Sequence, residues 1–322
     1  MKRNLSSLTR LSALIAAAAA FVGTISVQQA HAEFPEKPVE MTVLFGGSAQ
    51  TIAQMLADLM SKRLDQPVVA VSRTGGGGAV GYTYVHGTEP DGYNIVWNSN
   101  SVSTAHHFGN MDLTHEAFVP IARVSLEVPV MAVRKDRQWE TLQDMVDWSK
   151  ETGETLRIGH AGVGSFTHLT SAALFDRLGI EVNFIPYGQG REVAELLAGR
   201  IDAAMRWPSE FISHIEAGTL HPICVTGAER VPVLPDTPSC AEAGAEGLNL
   251  TMWRGLAAPA GTPQEVIEKL GEAARAAAED PAFQDLAEKI GFQPAFLPAE
   301  EFAEVIATDD EVISGIVAEI KE

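Results

Sequence analysis

The residues that could support covalent catalysis come closest together at Ser165 and His168. A serine nucleophile needs a histidine base within hydrogen-bond reach and a sharp turn that exposes its hydroxyl. No G-x-S-x-G pattern surrounds Ser165, and the sequence marks no oxyanion partner. A helix cap formed by Ser165 or Thr167 explains these residues more simply. The sequence therefore predicts no catalytic site here.

Two further patterns could support a metal or a nucleotide cofactor. His106, His107 and His115 lack the helical spacing of a metal-binding pair, and no H-E-x-x-H pattern occurs. Residues 76–81 satisfy G-x-G-x-x-G, and Asp91 follows them. A dinucleotide fingerprint, however, follows the first strand of a lobe and opens a long helix. Here it follows the second predicted strand and opens a short helix, so we predict neither a metal nor a cofactor.

Two glycine-rich loops, at 45–50 and 162–168, are better suited to hold a ligand. Each follows a predicted strand and opens a predicted helix. In open α/β lobes, ligands occupy the crevice at the carboxyl ends of the strands, where free backbone N–H groups and the helix dipole favour anions. Two such loops facing each other would form a carboxylate clamp. Taken alone, they could also be ordinary tight turns that need glycine.

Alternating strands and helices must position these loops. A first series of strands lies at 39–45, 68–71 and 94–97, with an amphipathic helix at 49–64, and a second series starts near Val128. After 250–257 we expect Pro263 at the first position of a helix, followed by helices to the C-terminus. The pattern predicts an α/β protein of two doubly wound lobes with a ligand cleft between them. We place lobe 1 at 33–128 plus 255–322 and lobe 2 at 129–254.

The first 32 residues have the pattern of a secretory signal peptide. Lys2, Arg3 and Arg10 precede an apolar run at 11–27, and an Ala-x-Ala site ends at Ala32, where we predict cleavage. The apolar run is too short and too rich in small residues for a membrane anchor. Export predicts a periplasmic protein.

Charge and cysteine content limit the partners further. The whole chain carries a net charge of −19, and removing the three positive charges of residues 1–32 leaves −22 on the other 290 residues. Nucleic-acid binding relies on cationic groups, so we exclude it. Cys224 and Cys240 are the only cysteines. They could form a disulfide or remain as two buried thiols, and we expect thiols.

Six short segments occur in an order and at spacings that resemble the extracytoplasmic receptors of tripartite tricarboxylate transporters, the Bug receptors. They are FPEKPV at 34–39, LDQPVV at 64–69, PDGY at 90–93, IPY at 185–187, LPDTP at 234–238 and APAGTP at 258–263. The resemblance implies a fold like that of the type II periplasmic binding proteins. It also implies a monomer that closes on organic acids and delivers them to a large and a small membrane subunit.

In that family, backbone amides of the two loops hold one carboxylate, partly through water. This chain departs from the family in its first loop, which is two residues shorter and has Gln50 in place of an Asp. It also departs at Arg206, which stands at a usually acidic position. Arg254 follows the family Trp. Carried over by position, and extended to the neighbouring side chains, the predicted ligand-binding residues are Phe45, Gly46, Gly47, Ser48, Ala49, Gln50, Gly164, Ser165, Phe166, Thr167, His168, Tyr187, Arg206, Trp207 and Arg254.

Taken together, these features predict a periplasmic receptor for a small organic carboxylate and not an enzyme. Arg206 favours a di- or tricarboxylate, because a guanidinium fork at a strand end could pair with a second carboxylate. Trp207 could wall the pocket. The alternative for Arg206 is a surface ion pair with an acidic side chain. The alternative functions are a secreted α/β enzyme that acts on a small carboxylic acid and a ligand sensor that signals to a membrane kinase.

Overall fold

The computed structural model describes residues 34–187 and 190–321. The predicted signal peptide at 1–32 lies outside the described residues. Over the described ranges, no helix is long and apolar enough to cross a membrane.

The strands fall into two mixed sheets. In chain order they are β1 Val39–Val43, β2 Val68–Ser72, β3 Asn94–Ser99, β4 Phe118–Glu127, β5 Val130–Arg134, β6 Leu156–His160, β7 Val182–Pro186, β8 Ala203–Arg206, β9 Leu220–Val225, β10 Met252–Pro259 and β11 Gln293–Pro298. Sheet A has the order β11-β4-β10-β3-β1-β2, and sheet B has the order β7-β6-β8-β5-β9. β1 runs parallel to β2 and β3, and β6 runs parallel to β7 and β8. The predicted two-lobed α/β fold is confirmed.

Helices connect the strands and cover the sheets. They are α1 Ser48–Leu64, α2 Ala79–His86, α3 Ser101–His107, α4 Leu142–Thr152, α5 Phe166–Leu178, α6 Glu192–Leu197, α7 Pro208–Glu216, α8 Gln264–Ala278, α9 Pro281–Ile290 and α10 Ala299–Lys321. In α1, Ile52, Leu56 and Met60 recur at helical spacing and are fully buried. Burial of this apolar face fixes α1, and with it the loop that precedes it.

The C-terminal helix α10 packs on both lobes. Phe302 and Ile306 belong to the core cluster that includes Val96 of sheet A. About two and three turns after Ile306, Ile313 and Val317 belong to the core cluster that includes Met131 of sheet B. A single helix therefore contributes to the core on each side of the cleft.

Several sequence-based expectations need correction. Strands β4 and β11 and helix α3 were not predicted. Pro120 lies within β4 beside an irregularity in its pairing with β10, and β11 is an edge strand with a proline at each of positions 294 and 298. Both strands therefore lacked a clear strand pattern. The expectation for Pro263 was wrong by one residue, because its extended ψ of 141° makes it the N-cap of α8.

The cysteines also differ from the expectation. Cys224 and Cys240 form a disulfide, with their Cα atoms 4.9 Å apart. The backbone N–H of Cys240 donates to the carbonyl of Val225 at 2.8 Å, which ties the later segment to the end of β9. This long-range pairing brings the cysteines within bonding distance, and the sequence carried no signal for it.

Candidate functional site

A cavity of about 640 Å³ opens between the loops that follow strands of sheets A and B. Because β1 and β2 are parallel, their carboxyl ends meet at the same edge of sheet A, and the end of β6 supplies the facing loop. This is the edge where open α/β lobes bind ligands. The lining residues are Leu44, Phe45, Gly46, Thr74, Gly75, Gly76, Gly77, Asn110, Ala161, Gly162, Val163, Gly190, Arg191 and Arg206.

The first predicted loop leads from β1 into α1. Gly47 is the N-cap of α1 at φ +69°, and no side chain of residues 34–187 or 190–321 caps this helix end by a hydrogen bond. The N-terminus of this 17-residue helix, with its backbone N–H groups and the positive end of its dipole, directly follows Phe45 and Gly46, which line the cavity. A Cβ at Gly47 would lie 2.0 Å from Oε1 of Glu210, which belongs to α7 of the other lobe. Glycine is needed here for this close approach.

The second predicted loop leads from β6 into α5. The Ser165 hydroxyl accepts a hydrogen bond from the backbone N–H of His168 at 3.2 Å and lies 3.2 Å from the Thr167 hydroxyl. The capping interpretation of Ser165 is confirmed. The Ser165 hydroxyl is engaged in the helix cap, and this contact does not support a role as a nucleophile.

The loops of the two lobes touch at the cavity. The Asn110 side chain, from the segment after α3, donates through Nδ2 to the carbonyl of Val163 at 2.7 Å. A Cβ at Gly77 would lie 2.9 Å from that same carbonyl oxygen, and one at Gly164 would lie 2.3 Å from Asn110 Nδ2. Bare backbone at Gly77 and Gly164 therefore lets the two lobes meet.

The third loop, Gly75–Gly77, was missed as a ligand-site element. Its glycines were considered only as a dinucleotide fingerprint, yet they line the cavity beside Thr74. The signal was available in the sequence, because the glycine run follows the strand predicted directly after the first one. In a parallel sheet, loops after neighbouring strands share one edge. Nothing in the sequence indicated Asn110 or Arg191.

Two stacked histidines lie beneath the second loop. The rings of His160 and His168 are 4.5 Å apart between centroids and inclined by 24°. Burial, together with the neighbouring His168, lowers the pKa of His160 to about 3. Burial lowers the pKa of His168 to about 4. The Gly164 N–H donates to Nδ1 of His168 at 3.3 Å. Neutral imidazoles thus support the loop, because a protonated Nδ1 could not accept this bond.

A narrow recess of about 20 Å³ adjoins the main cavity and has room for about one water molecule. Arg254 lines it and is buried against Glu127, with its guanidinium 5.2 Å from the ring centroid of Trp207. Both charged side chains are at most 3% exposed. The full lining is Phe45, Gly46, Ser101, Ala161, Ser165, Phe166, Thr167, Arg206, Trp207, Met252 and Arg254.

Arg206 lines both the main cavity and the recess. It is the last residue of β8, and its side chain is only 5% exposed. Nε and Nη2 donate to the two oxygens of Glu210, the Nη2 bond measuring 2.6 Å, and Nη1 lies 3.2 Å from Oε1 of Glu192. Burial lowers the pKa of Arg206, but the carboxylates of Glu210 and Glu192 more than offset this and raise it. Arg206 is paired with acidic side chains, as the alternative interpretation expected, but these ion pairs are buried and do not lie at the surface.

The predicted site residues thus separate into two groups. Eight of them line the main cavity or the recess: Phe45, Gly46, Ser165, Phe166, Thr167, Arg206, Trp207 and Arg254. The other predicted residues line neither space: Gly47, Ser48, Ala49, Gln50, Gly164, His168 and Tyr187. Most of this second group lies in the same two loops or at the start of the helices that follow them. The described residues contain no cluster of three or more His, Cys, Asp or Glu side chains that could hold a metal ion.

Comparison with known proteins gives a consistent result. Residues 52–321 match the sequence model of the family described as "Tripartite tricarboxylate transporter family receptor". The chain is 34% identical over 290 residues to an Agrobacterium vitis protein described as "UPF0065 protein in the TAR-I ttuE-ttuC' intergenic region", covering 88% of this chain and 82% of the relative.

Solved structures agree in fold. The "periplasmic binding protein BugD" superposes with a TM-score of 0.83 at 28% identity, covering 89% of this chain and 99% of that one. "MatC (Rpa3494) from Rhodopseudomonas palustris with bound malate" superposes with a TM-score of 0.81 at 23% identity, covering 88% of this chain and all of that one. The second similarity concerns the fold alone.

Proposed function

Because the chain belongs to the tripartite tricarboxylate transporter receptor family, we propose that it captures a small organic carboxylate in its cleft and delivers it to a membrane transporter. The observation that carries this proposal is the pair of loops after β1 and β6, which face each other across a cavity of about 640 Å³. On one side, the loop after β1 leads into the N-terminus of α1, whose backbone N–H groups and dipole favour an anion. On the other side, the loop at 162–165 is held by the Ser165 cap and the neutral His168.

One carboxylate fits this arrangement best. Backbone N–H groups and a helix dipole stabilise an anion without a net charge of their own, which suits a chain with a net charge of −19. The sequence also favoured a second carboxylate on Arg206. Among the described residues that guanidinium has two glutamate partners, so we limit the proposed ligand contact to one carboxylate.

We further propose that the protein acts in the periplasm after cleavage at Ala32, as a monomer with a large and a small membrane subunit as its partners. The disulfide Cys224–Cys240 supports an oxidising compartment, since such bonds are rare in reducing ones. The lobes would divide near residues 128 and 254, and the paired strands of sheets A and B support that division. A receptor requires no catalytic group, and the Ser165 hydroxyl is engaged in a helix cap.

The test is a thermal-shift screen with mono-, di- and tricarboxylates, followed by calorimetry. A ligand that binds only the folded protein raises the free energy of unfolding, by about 2.7 kcal/mol at one hundred times its Kd. The primary amide of each acid is the control, because it keeps the shape and loses the charge. We expect acids to stabilise the protein and amides to have no effect. Recovery of unchanged acid by NMR supports a receptor, and turnover would favour the secreted enzyme instead.

A further inference from the structure

The charges around Arg206 do not favour a second anion. Within the described part of the chain, its guanidinium contacts two carboxylates, Glu210 at both oxygens and Glu192 at 3.2 Å. Glu192 is fully buried, and burial raises its pKa while Arg206 lowers it in part. Arg254 lines the adjoining recess, but its Nε is paired with one carboxylate oxygen of Glu127. The buried cations beside the cleft are therefore balanced by carboxylates of the protein itself.

Glu210 is the less buried of the two carboxylate partners and lies beside Gly190 of the cavity wall. It is 12% exposed, whereas Glu192 is 0% exposed. Its Oε1 lies 2.0 Å from the position that a Cβ of Gly47 would take and 3.9 Å from that of Gly190, a residue of the cavity wall. The carboxylate thus stands between the first ligand loop and the opposite wall, bonded to the guanidinium that a second ligand carboxylate would need.

We propose that Glu210 is a specificity-determining residue that occupies the Arg206 fork and disfavours ligands with a second carboxylate at this end of the cleft. A dicarboxylate must displace Glu210 from a bidentate bond or lie against its negative charge, and either is unfavourable in a buried site. The ligand class that fits is a monocarboxylate whose far end is neutral or donates a hydrogen bond. Arg191 also lines the cavity, but its side chain is exposed and its charge is screened. The inference rests on the proposed function, since it presumes a carboxylate in the loops.

The test compares acids of equal length that differ only in the second carboxylate: butyrate with succinate, and hexanoate with adipate. Calorimetry would give the Kd of each for the native protein and for Glu210→Gln, which keeps the size and removes the charge. We expect the native protein to prefer the monoacid of each pair. In Glu210→Gln, affinity for the diacid should rise about tenfold relative to the monoacid. Glu216→Gln is the control, because it removes the same charge from the exposed end of the same helix.

The outcomes separate the two proposals. If the native protein binds monoacids but Glu210→Gln leaves the ratio unchanged, or lowers affinity for the diacid, the role of Glu210 is refuted and the receptor function stands. If no acid binds either protein, the proposed function fails and this inference fails with it. If Glu210→Gln does not fold, Glu210→Ala repeats the measurement, because it leaves room for water beside the guanidinium. If Glu216→Gln also raises the affinity for the diacid relative to the monoacid, the effect comes from net charge alone, and the inference is refuted.

Discussion

At the scale of single residues, Gly77 lies against the backbone of the opposite lobe. A Cβ at this position would lie 2.9 Å from the Val163 carbonyl and 3.0 Å from the carbonyl carbon of Gly164. At Gly164, the nearest atom is instead the Asn110 side-chain nitrogen, which can rotate away. We therefore predict that Gly77→Ala weakens ligand binding about tenfold or more, and that Gly164→Ala weakens it less, because each added methyl group obstructs closure of the cleft.

The control for these variants is Gly179→Ala. Gly179 has φ +63°, close to the +65° of Gly77, and no atom of the described part of the chain lies within 4 Å of its Cβ position. All three substitutions should reduce the free energy of unfolding by about 1 kcal/mol through backbone strain. Calorimetry and chemical denaturation together check the prediction. An equal loss of affinity at Gly179 would assign the effect to stability alone.

The stacked histidines predict sensitivity to acid. In the unfolded chain an imidazole takes up its proton near pH 6.5, but in the folded protein only near pH 3 for His160 and pH 4 for His168. Between pH 6.5 and about 4 the unfolded state binds more protons than the folded state. The contribution of the two neutral rings to the free energy of unfolding is therefore complete above pH 6.5 and is lost as the pH is lowered. The expected loss is up to about 1.4 kcal/mol per pH unit for each ring.

Chemical denaturation at a series of pH values checks this expectation. His168→Gln should remove about half of the slope between pH 6.5 and 4, while its side-chain oxygen can still accept the Gly164 N–H. His86→Gln is the control, because His86 is exposed on α2. Identical slopes in the native protein and His168→Gln would contradict the prediction.

At the scale of elements, the sequence predicted most strands and helices but missed those defined by tertiary pairing. The helix α1 and the strands β2 and β3 lie within two residues of their predicted bounds, because local apolar periodicity sets them. Strand β4 was missed although it lies inside sheet A, because Pro120 and Arg123 interrupt its apolar pattern. The functional site shows the same division between features set locally and features set by tertiary pairing. Glycine-rich loops could be recognised locally, whereas Glu210 and Glu192 join Arg206 only through the fold.

The C-terminal helix α10 gives a prediction at this scale. Ile313 is 1% exposed and packs in the core cluster of sheet B with residues far away along the chain, such as Met131. We predict that Ile313→Ala reduces the free energy of unfolding by about 2–5 kcal/mol, the usual cost of such a cavity. Val312→Ala on the same helix is the control, because Val312 is 48% exposed and should lose less than about 0.5 kcal/mol. Equal losses would mean that α10 does not support this lobe.

At the scale of the whole molecule, three connections join the lobes. The chain passes from β4 to β5, returns from β9 to β10, and α10 then packs on both cores. The first two connections would act as a hinge, and α10 would limit the rotation, because its two ends are held by different clusters. Hinge closure around a ligand is the common behaviour of proteins with this arrangement.

We therefore predict that a bound carboxylate makes the molecule more compact in solution. The loops that line the cavity come from both lobes, and the Asn110–Val163 hydrogen bond of 2.7 Å links the lobes across it. A ligand that contacts both sides stabilises the closed arrangement over the open one. Small-angle scattering should show a smaller radius of gyration at saturating ligand than without ligand. In Gly77→Ala, where an added methyl group meets the Val163 carbonyl, saturating ligand should produce less compaction. An unchanged radius of gyration in the native protein would show that the cleft does not close on its ligand.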